Sequence, residues 1–265
     1  MRPLLLLIAL AGCGPSESRV PPAPAETPGP SAPAIQSVVV APGSVWLGSP
    51  ADEVGRDADE HRVLVQVTRP FLLAVREVDR GLWAQVMGTP VGRDTWTDEH
   101  PATVSWLEAA TFCNRLSAKR GLVPAYSIAG TAVAWDPDAP GYRLPTEAEW
   151  TLAAAVGGTR YAGGDDLAAV GWCGVAEPQP VGRLASNPLG LFDLTGNVEE
   201  WVWDRYGPFA PAERTDPRGP ESGDLRVARG GNWGDDEAHC RVADRSGFSP
   251  DQRSDSLGFR LARNR

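Results

Sequence analysis

The sequence has few of the residues that bind soft or borderline metals. Its 265 residues include four cysteines and three histidines. The cysteines form no C-x-x-C pair, and none of the histidines (His61, His100 and His239) stands at metal-ligand spacing from another. Structural zinc sites use such paired Cys and His ligands, so the sequence argues against one.

Patterns that would identify other enzymes or a nucleic-acid-binding protein are also missing. The chain has no G-x-S-x-G elbow, no P-loop and no dinucleotide fingerprint. Positive charge is in deficit, because 25 Lys and Arg face 34 Asp and Glu, for a net charge of −9. Phosphate binding needs a basic face, so nucleic acid is not an expected partner.

The first residues predict a lipid-anchored protein. An apolar run from Leu4 to Leu10 is far shorter than the ~20 residues that span a bilayer, and it ends in small residues. The ending Leu10-Ala11-Gly12-Cys13 resembles a bacterial lipobox. This resemblance implies a signal peptide over residues 1–12 and lipidation of Cys13. Gly14 in place of Asp favours the outer over the inner membrane, so we expect an anchored protein of the cell envelope.

Residues 13–36 follow as a segment rich in Pro, Ala, Ser and Gly with few apolar residues. Such a composition cannot offset its ordering entropy, so it predicts a disordered tether. Residues 37–265 contain no second linker of this kind and are expected to form one domain. If Cys13 is lipidated, an oxidising compartment would allow two of the remaining three cysteines to pair.

Within the domain, short strands and capped helices are expected. Helices should begin at Asp79, Ser105 and Thr146, and Glu108 and Glu149 complete capping boxes for the last two. Gly88 should close the first helix. Ten tryptophans lie among Gly-rich and Pro-rich stretches, which predicts loops pinned by large aromatic side chains. Strand candidates lie at 38–40 and 45–47, around the turn residues Pro42-Gly43, and at 63–67 and 71–75.

Five segments occur in the order found in the formylglycine-generating enzyme family, which belongs to the sulfatase-modifying factor group. The most specific is Gly141-Tyr142-Arg143-Leu144-Pro145-Thr146-Glu147-Ala148-Glu149-Trp150. The others are 41–49, 100–114, 190–201, and the closing pair 229–233 and 257–262. The chain therefore resembles this family over almost the whole domain. The resemblance implies an α+β fold, a variant of the C-type lectin-like type with little regular secondary structure.

Three arginines in these segments are interpreted as architectural. Arg143 should pair with Glu147 or Glu149, and Arg229 and Arg260 should be buried and tie loops together. The planar guanidinium suits such buried pairing because it offers several donors in a fixed geometry.

The resemblance also implies a calcium site in the fourth segment. Its ligands would be Asp193, Gly196, Val198 and Glu200, with backbone carbonyls from Gly196 and Val198. Calcium takes six to eight oxygens of this kind. The alternative is that Thr195 or Asn197 caps a short helix and that both acids are solvated.

The catalytic centre of the family is incomplete in this chain. The enzymes hold Cu(I) with two cysteines spaced C-x4-C after the Gly-Gly turn, and soft thiolates suit that ion. The corresponding stretch, 231–241, contains Cys240 as its one cysteine. Counting forward from Gly230-Gly231 puts the two positions on Asp235 and Cys240, and counting back from Arg245-Ser246 puts neither on Cys240, so in both cases at least one thiolate is missing. Cys240 is therefore the remaining catalytic candidate, and copper is not favoured. Cys113 would be a buried free thiol or would pair with Cys173 or Cys240, because its family partner position is occupied by Leu261.

These observations favour a non-catalytic binding or assembly module whose partners are the membrane, through the anchor, and a protein or glycan of the envelope. The first alternative is a copper-dependent oxidoreductase that modifies envelope proteins through Cys240. The second is a calcium-assisted glycan-binding module that stacks sugars on Trp172, Trp203 or Trp233. Whether the chain is an enzyme is left open by the sequence.

Overall fold

The computed structural model describes residues 32–209 and 214–265. The expected signal peptide, the lipidation site at Cys13 and most of the 13–36 tether lie outside these residues. Among the residues described, no helix is both long and apolar enough to cross a membrane.

The described residues form twelve short strands and four helices. The strands are β1 Ser37–Val40, β2 Gly43–Leu47, β3 Val63–Val67, β4 Phe71–Ala74, β5 Tyr126–Ala129, β6 Ala132–Trp135, β7 Tyr142–Arg143, β8 Glu199–Arg205, β9 Arg226–Arg229, β10 Arg245–Phe248, β11 Leu257–Gly258 and β12 Ala262–Asn264. The helices are α1 Arg80–Met87, α2 Trp106–Lys119, α3 Glu147–Ala154 and α4 Leu167–Val170. The expected α+β class is confirmed.

The three predicted helices are confirmed together with their caps. The Asp79 side chain accepts a hydrogen bond from the Leu82 N–H, and Gly88 ends α1 with φ of 80°. Ser105 and Thr146 both form complete capping boxes at the starts of α2 and α3. Local side-chain hydrogen bonds of this kind are readable from sequence because both partners lie within one turn.

One four-stranded sheet has the order β1-β4-β12-β7, and its pairs are antiparallel. β12 therefore lies between β4 and β7, far from both in sequence. The strands expected at 38–40 and 45–47 are present, but β1 and β2 do not pair with each other. β2 instead pairs with β3 in a separate two-stranded sheet, so the Pro42-Gly43 turn links two sheets.

The second four-stranded sheet, β10-β9-β8-β11, positions the candidate site. β8 pairs antiparallel with β9 and parallel with β11, which places Glu200 beside Arg229 and Gly258. The acid-bearing start of β8 is buried, as are all four residues of β9. Charged side chains in such positions need internal partners, because water does not reach them.

Tryptophans connect the loops to this sheet. Trp106, Trp150 and Trp201 are fully buried, and each indole N–H donates a hydrogen bond of 2.8 Å. The acceptors are the Val202 carbonyl, the Glu200 carboxylate and the Val104 carbonyl, respectively. The expectation that aromatic side chains pin the loops therefore holds for these three.

Candidate functional site

A Gly-Gly turn follows β9 and shapes the region where the family's copper site would lie. Gly230 and Gly231 have φ of 95° and 68°, in the left-handed region that favours glycine. A Cβ on Gly231 would lie 2.5 Å from the His239 carbonyl oxygen and 2.9 Å from the Cys240 Sγ. The Gly230 carbonyl accepts a hydrogen bond of 2.8 Å from the Gly196 N–H. The turn thus folds segment 231–240 back on itself and joins it to the loop before β8.

Cys240 forms a disulfide bond with Cys173. Cys240 is fully buried, and a Cβ on Gly196 would lie 2.6 Å from the Cys173 Sγ, so the bond packs against the loop before β8. Among the described residues the free cysteine is Cys113, which is buried in the core, and burial raises the pKa of its thiol. The pairing left open by the sequence is therefore Cys173 with Cys240, and Cys113 is an unreactive core thiol.

Asp235, at the other copper-ligand position, closes a turn. Its carboxylate accepts hydrogen bonds from the Asn232 backbone N–H at 2.9 Å and from Asn232 Nδ2 at 2.7 Å. The neighbouring His239 Nδ1 lies 2.9 Å from Asp236 Oδ1 at the surface, and this hydrogen bond raises the pKa of His239. Cu(I) prefers thiolates, and here Cys240 is in a disulfide and Asp235 offers oxygen. The residues present do not fit a copper centre.

A buried acid that the sequence did not single out lies beside this turn. Glu199 is 3% exposed, and its carboxylate Oε2 lies 3.4 Å from Asn232 Nδ2. Burial raises the pKa of Glu199 to about 7, and the nearby carboxylates of Asp235 and Asp244 add to the rise. The sequence signal is weak: two adjacent acids at the start of a strand suggest that at least one faces solvent, yet both are buried.

Replacing Glu199 with Gln should change how stability depends on pH. The pKa of Glu199 is about 7 in the fold against an ordinary 4.5, so the folded state binds more protons between these values. Stability conferred by the protonated form is therefore lost as pH rises through this window. Because Gln does not ionise, the variant should gain about 2 kcal/mol relative to wild type between pH 5 and pH 8.

Urea denaturation of both proteins at the two pH values measures this gain. Asp236→Asn is the matched control, because Asp236 is an exposed acid on the neighbouring segment 231–240 and its hydrogen bond with His239 lowers its pKa. If the two proteins differed in free energy of unfolding by the same amount at both pH values, the raised pKa of Glu199 would be contradicted.

Three of the four residues expected to bind calcium lie on the loop that leads into β8, and the fourth is the second residue of that strand. Asp193 and Asn197 have φ of 57° and 61°, so the loop bends sharply. The Asp193 carboxylate accepts a hydrogen bond of 2.6 Å from the Gly182 N–H. The alternative of a short helix with solvated acids is wrong, because Asp193 and Glu200 are buried and the chain continues into a strand. The four expected ligands are Asp193, Gly196, Val198 and Glu200.

This loop carries more buried negative charge than its arginine balances. Glu200 forms a two-point ion pair with Arg260, with 2.6 Å between Oε2 and Nε, and also accepts the Trp150 N–H. Glu77, which the sequence did not indicate, lies beside them; burial raises its pKa, and Asp193 and Glu200 raise it further. Burial also raises the pKa of Asp193 to about 6. Carboxylate oxygens are donors of the kind that calcium takes, but both oxygens of Glu200 are already bound by Arg260 and one also by Trp150.

The predicted architectural arginines are where they were expected. Arg143 donates to both Glu149 oxygens at 2.6 and 2.7 Å, which selects Glu149 among the two candidates. Arg229 is buried and donates to the backbone carbonyls of 242–244. Arg260 is buried and donates to the Ala74 carbonyl at the end of β4, to the Phe192 carbonyl and to Glu200. These side chains connect the loops of the site.

The tryptophans considered as sugar platforms have different environments. Trp203 stacks on Tyr126 at 5.2 Å between ring centroids and packs against Trp106, so it belongs to the core. Trp172 and Trp233 flank the loop before β8 through backbone hydrogen bonds. The Trp172 carbonyl accepts a hydrogen bond from the Asn197 backbone N–H, and the Trp233 backbone N–H donates one to the Asn197 carbonyl.

Together, the antiparallel sheet, the mixed sheet, the Gly-Gly turn and the arginine-held loops define a C-type lectin-like domain of the formylglycine-generating type. The family model described as a sulfatase-modifying factor enzyme 1-like domain matches residues 23–265, and the chain belongs to this family. This confirms the resemblance seen in the sequence segments.

Two relatives of this chain carry different functional names, one an enzyme and the other a chaperone. The formylglycine-generating enzyme of Streptomyces coelicolor is 40% identical over 146 residues, which cover 46% of this chain and 46% of the enzyme. The match thus spans about half of the enzyme's length. Chaperone protein LppX of Paenibacillus barcinonensis is 28% identical over 242 residues, covering 74% of this chain and 80% of the chaperone.

Solved structures support the fold over most of the chain. Treponema denticola variable protein 1 superposes with a TM-score of 0.77 at 29% identity and covers 86% of this chain and 95% of its own. PvdO from Pseudomonas aeruginosa superposes with a TM-score of 0.70 at 25% identity, covering 86% and 94%. The expected formylglycine-generating variant of the C-type lectin-like fold is confirmed.

Proposed function

We propose that this protein is a non-catalytic binding or assembly module of the cell envelope, held at the membrane by a lipid on Cys13. Residues 13–36 serve as its tether, and its partner is another envelope protein. The outer membrane is the proposed location, on the basis of Gly14. In this proposal the scaffold of an oxidase is retained while its redox centre is not.

The observation that carries the proposal is the chemistry at the two copper-ligand positions. Copper-dependent oxidation in this family needs two thiolates, because Cu(I) is bound by soft sulfur ligands. Here Cys240 is bonded to Cys173, and Asp235 is hydrogen-bonded to Asn232. A site with neither thiolate available has no means of holding Cu(I) in the way the oxidases do.

The relative named as a chaperone supports a protein partner. Its similarity covers 74% of this chain, which is more than the 46% covered by the Streptomyces coelicolor enzyme. The buried ion pairs of Arg143, Arg229 and Arg260 supply the rigid loops that such a binding surface needs. We propose binding without chemistry on this basis, since fold alone does not decide function.

Cu(I) titration tests the proposal. The full-length protein, with its disulfide bond intact, should bind no Cu(I) tightly and should consume no oxygen with cysteine peptides. The double variant Asp235→Cys, Cys173→Ser should gain one tight Cu(I) site, because it frees Cys240 and restores the second thiolate.

Two comparisons make the outcome decisive. Cys173→Ser alone frees Cys240 but leaves Asp235, and it should bind Cu(I) at least tenfold more weakly than the double variant. Copper-dependent oxygen consumption by the wild-type protein would overturn the proposal in favour of an oxidoreductase centred on Cys240.

The anchor is tested separately by the mass of the mature N-terminal peptide, which should carry an acylated Cys13.

A further inference from the structure

The hairpin of β5 and β6 is a small sheet of its own at the surface. A two-residue turn at Gly130-Thr131 joins the strands, and Gly130 has φ of 62°. Every residue from 127 to 134 except Val133 is exposed. We propose that β6 binds an extended, acid-bearing segment of a partner protein as an added strand. This rests on the proposed function, because it names the surface through which a protein partner would bind.

The hydrogen bonds around β5 show which backbone groups face away from the hairpin. Asn114 of α2 donates from Nδ2 to the Tyr126 carbonyl at 2.7 Å, and its Oδ1 accepts the Tyr126 N–H at 3.1 Å. These groups of Tyr126 therefore point away from β6. Tyr126 lies opposite Trp135 and Ile128 opposite Val133, and the two kinds of residue pair alternate along an antiparallel ladder. The N–H and C=O groups of Val133 and Trp135 consequently face away from β5.

The outer edge of β6 is open, whereas the edge of β5 is partly occupied. The Asn114 side chain takes the place of a neighbouring strand beside β5. Within the part of the chain that the structure describes, no backbone group outside the hairpin bonds to Val133 or Trp135. Two N–H and two C=O groups are thus left for a further strand, and extended peptides bind sheet edges through such groups.

The hairpin lacks the features that usually protect an edge strand. Natural edges commonly carry Lys or Pro, or a bulge that prevents pairing with another chain. Residues 126–135 read Tyr-Ser-Ile-Ala-Gly-Thr-Ala-Val-Ala-Trp, without charge or proline, in a chain of which 22% of residues are charged. The four residue pairs of the hairpin are in continuous register. The edge can therefore accept a strand without a side chain that opposes it.

An arginine beside Trp135 indicates the charge of the segment. The Arg218 guanidinium lies over the Trp135 ring, 4.9 Å from its centroid, and Arg218 is exposed. Among the described residues it has no ion-pair or hydrogen-bond partner. Side chains directly opposite each other on neighbouring strands lie about 5 Å apart, so a residue paired with Trp135 would be next to this guanidinium. An acidic side chain at that place would complement it.

A cavity of about 90 Å³ at the end of β6 is lined by Trp135 and Arg218. The acids that also line it already have partners. Glu149 is in a buried ion pair, and Asp216 accepts the Thr68 N–H at 2.7 Å. Their charges are therefore not available to Arg218, which leaves it to a carboxylate supplied from outside.

The size and charge of the edge favour a peptide over a second copy of this chain. Two copies joined through β6 would pair strands of four residues, which is far below the area of about 800 Å² per partner that a stable dimer buries. The net charge of −9 on each copy also opposes their approach. A short peptide does not meet this repulsion, and main-chain hydrogen bonds supply its affinity.

Fluorescence polarisation with the full-length protein tests the proposal. The probe is a labelled heptapeptide of alternating Thr and Val with a central Glu, and the comparison peptide has Gln there. The Glu peptide should bind about threefold more tightly, as expected for one exposed ion pair. Arg218→Gln should remove this difference and leave the affinity for the Gln peptide unchanged.

Two variants at one position test the strand pairing. Val133→Pro removes an N–H that faces away from β5, where an edge strand tolerates proline, and it should weaken both peptides about tenfold. Val133→Thr is the matched control, because it keeps the N–H and a β-branched side chain and should bind as the wild type does. Hydrogen exchange gives a readout in the unaltered protein: the Glu peptide should slow exchange of the Val133 and Trp135 N–H groups.

Several results would overturn the proposal. They are absence of Glu-peptide binding, equal binding by wild type and Val133→Pro, or unchanged exchange at Val133 and Trp135. Dimerisation of the wild type that Val133→Pro abolishes would assign the edge to a second copy instead. None of these results alters the copper titration, so failure of this surface is distinguishable from failure of the proposed function.

Discussion

Replacing Arg260 with Met should lower the free energy of unfolding by about 3–5 kcal/mol, which is the usual loss when one partner of a buried ion pair is removed. Arg260 is fully buried and is the guanidinium that pairs with Glu200. Glu77 and Asp193 are also buried nearby, and the charge of Arg260 opposes the rise in the pKa of both carboxyl groups. Urea denaturation measures the loss.

Arg253→Met is the matched control for this change. Arg253 also pairs with a glutamate, Glu108, but its side chain is exposed, and exposed pairs contribute about 0–1 kcal/mol. Adding Glu200→Gln to Arg260→Met should recover part of the loss, because it removes the stranded charge. A loss below about 1 kcal/mol for Arg260→Met would contradict the described role of the arginine.

Removing the disulfide should have an effect of similar size. Cys173 and Cys240 are 67 residues apart, and closing a loop of that length restricts the unfolded chain by about 4 kcal/mol in the chain-entropy treatment. The double variant Cys173→Ser, Cys240→Ser should therefore be less stable by about this amount, as measured by urea denaturation.

Reductant provides the control for the second prediction. Reduction should destabilise the wild-type protein to the level of the double Ser variant and should not affect that variant further. Cys113→Ala should keep the full sensitivity to reductant, because Cys113 is not in the bond. Wild-type stability that is insensitive to reductant would show that the bond contributes little.

The parts of the fold that were predictable from sequence are those with both partners close in the chain. The caps at Asp79, Ser105 and Thr146 and the pair of Arg143 with Glu149 all lie within six residues of their partners. The residue types indicate the three caps, and they restrict the partner of Arg143 to Glu147 or Glu149.

The rest depends on which distant segments meet. The place of β12 between β4 and β7 follows from packing, which no local pattern records. The same holds for the disulfide between Cys173 and Cys240 and for the burial of Glu77 and Glu199 next to other acids. At the candidate site the sequence indicated the lost thiolate, whereas the state of the remaining one required the structure.

The position of β12 also bears on how the protein is made. Chains are synthesised from the N-terminus, and domains generally fold as units. β1 and β4 can pair early, but β7 has its partner in this sheet, β12, at residues 262–264. The sheet therefore cannot close until that strand has been synthesised. A chain whose last residues are still being synthesised therefore lacks the strand that joins β4 to β7.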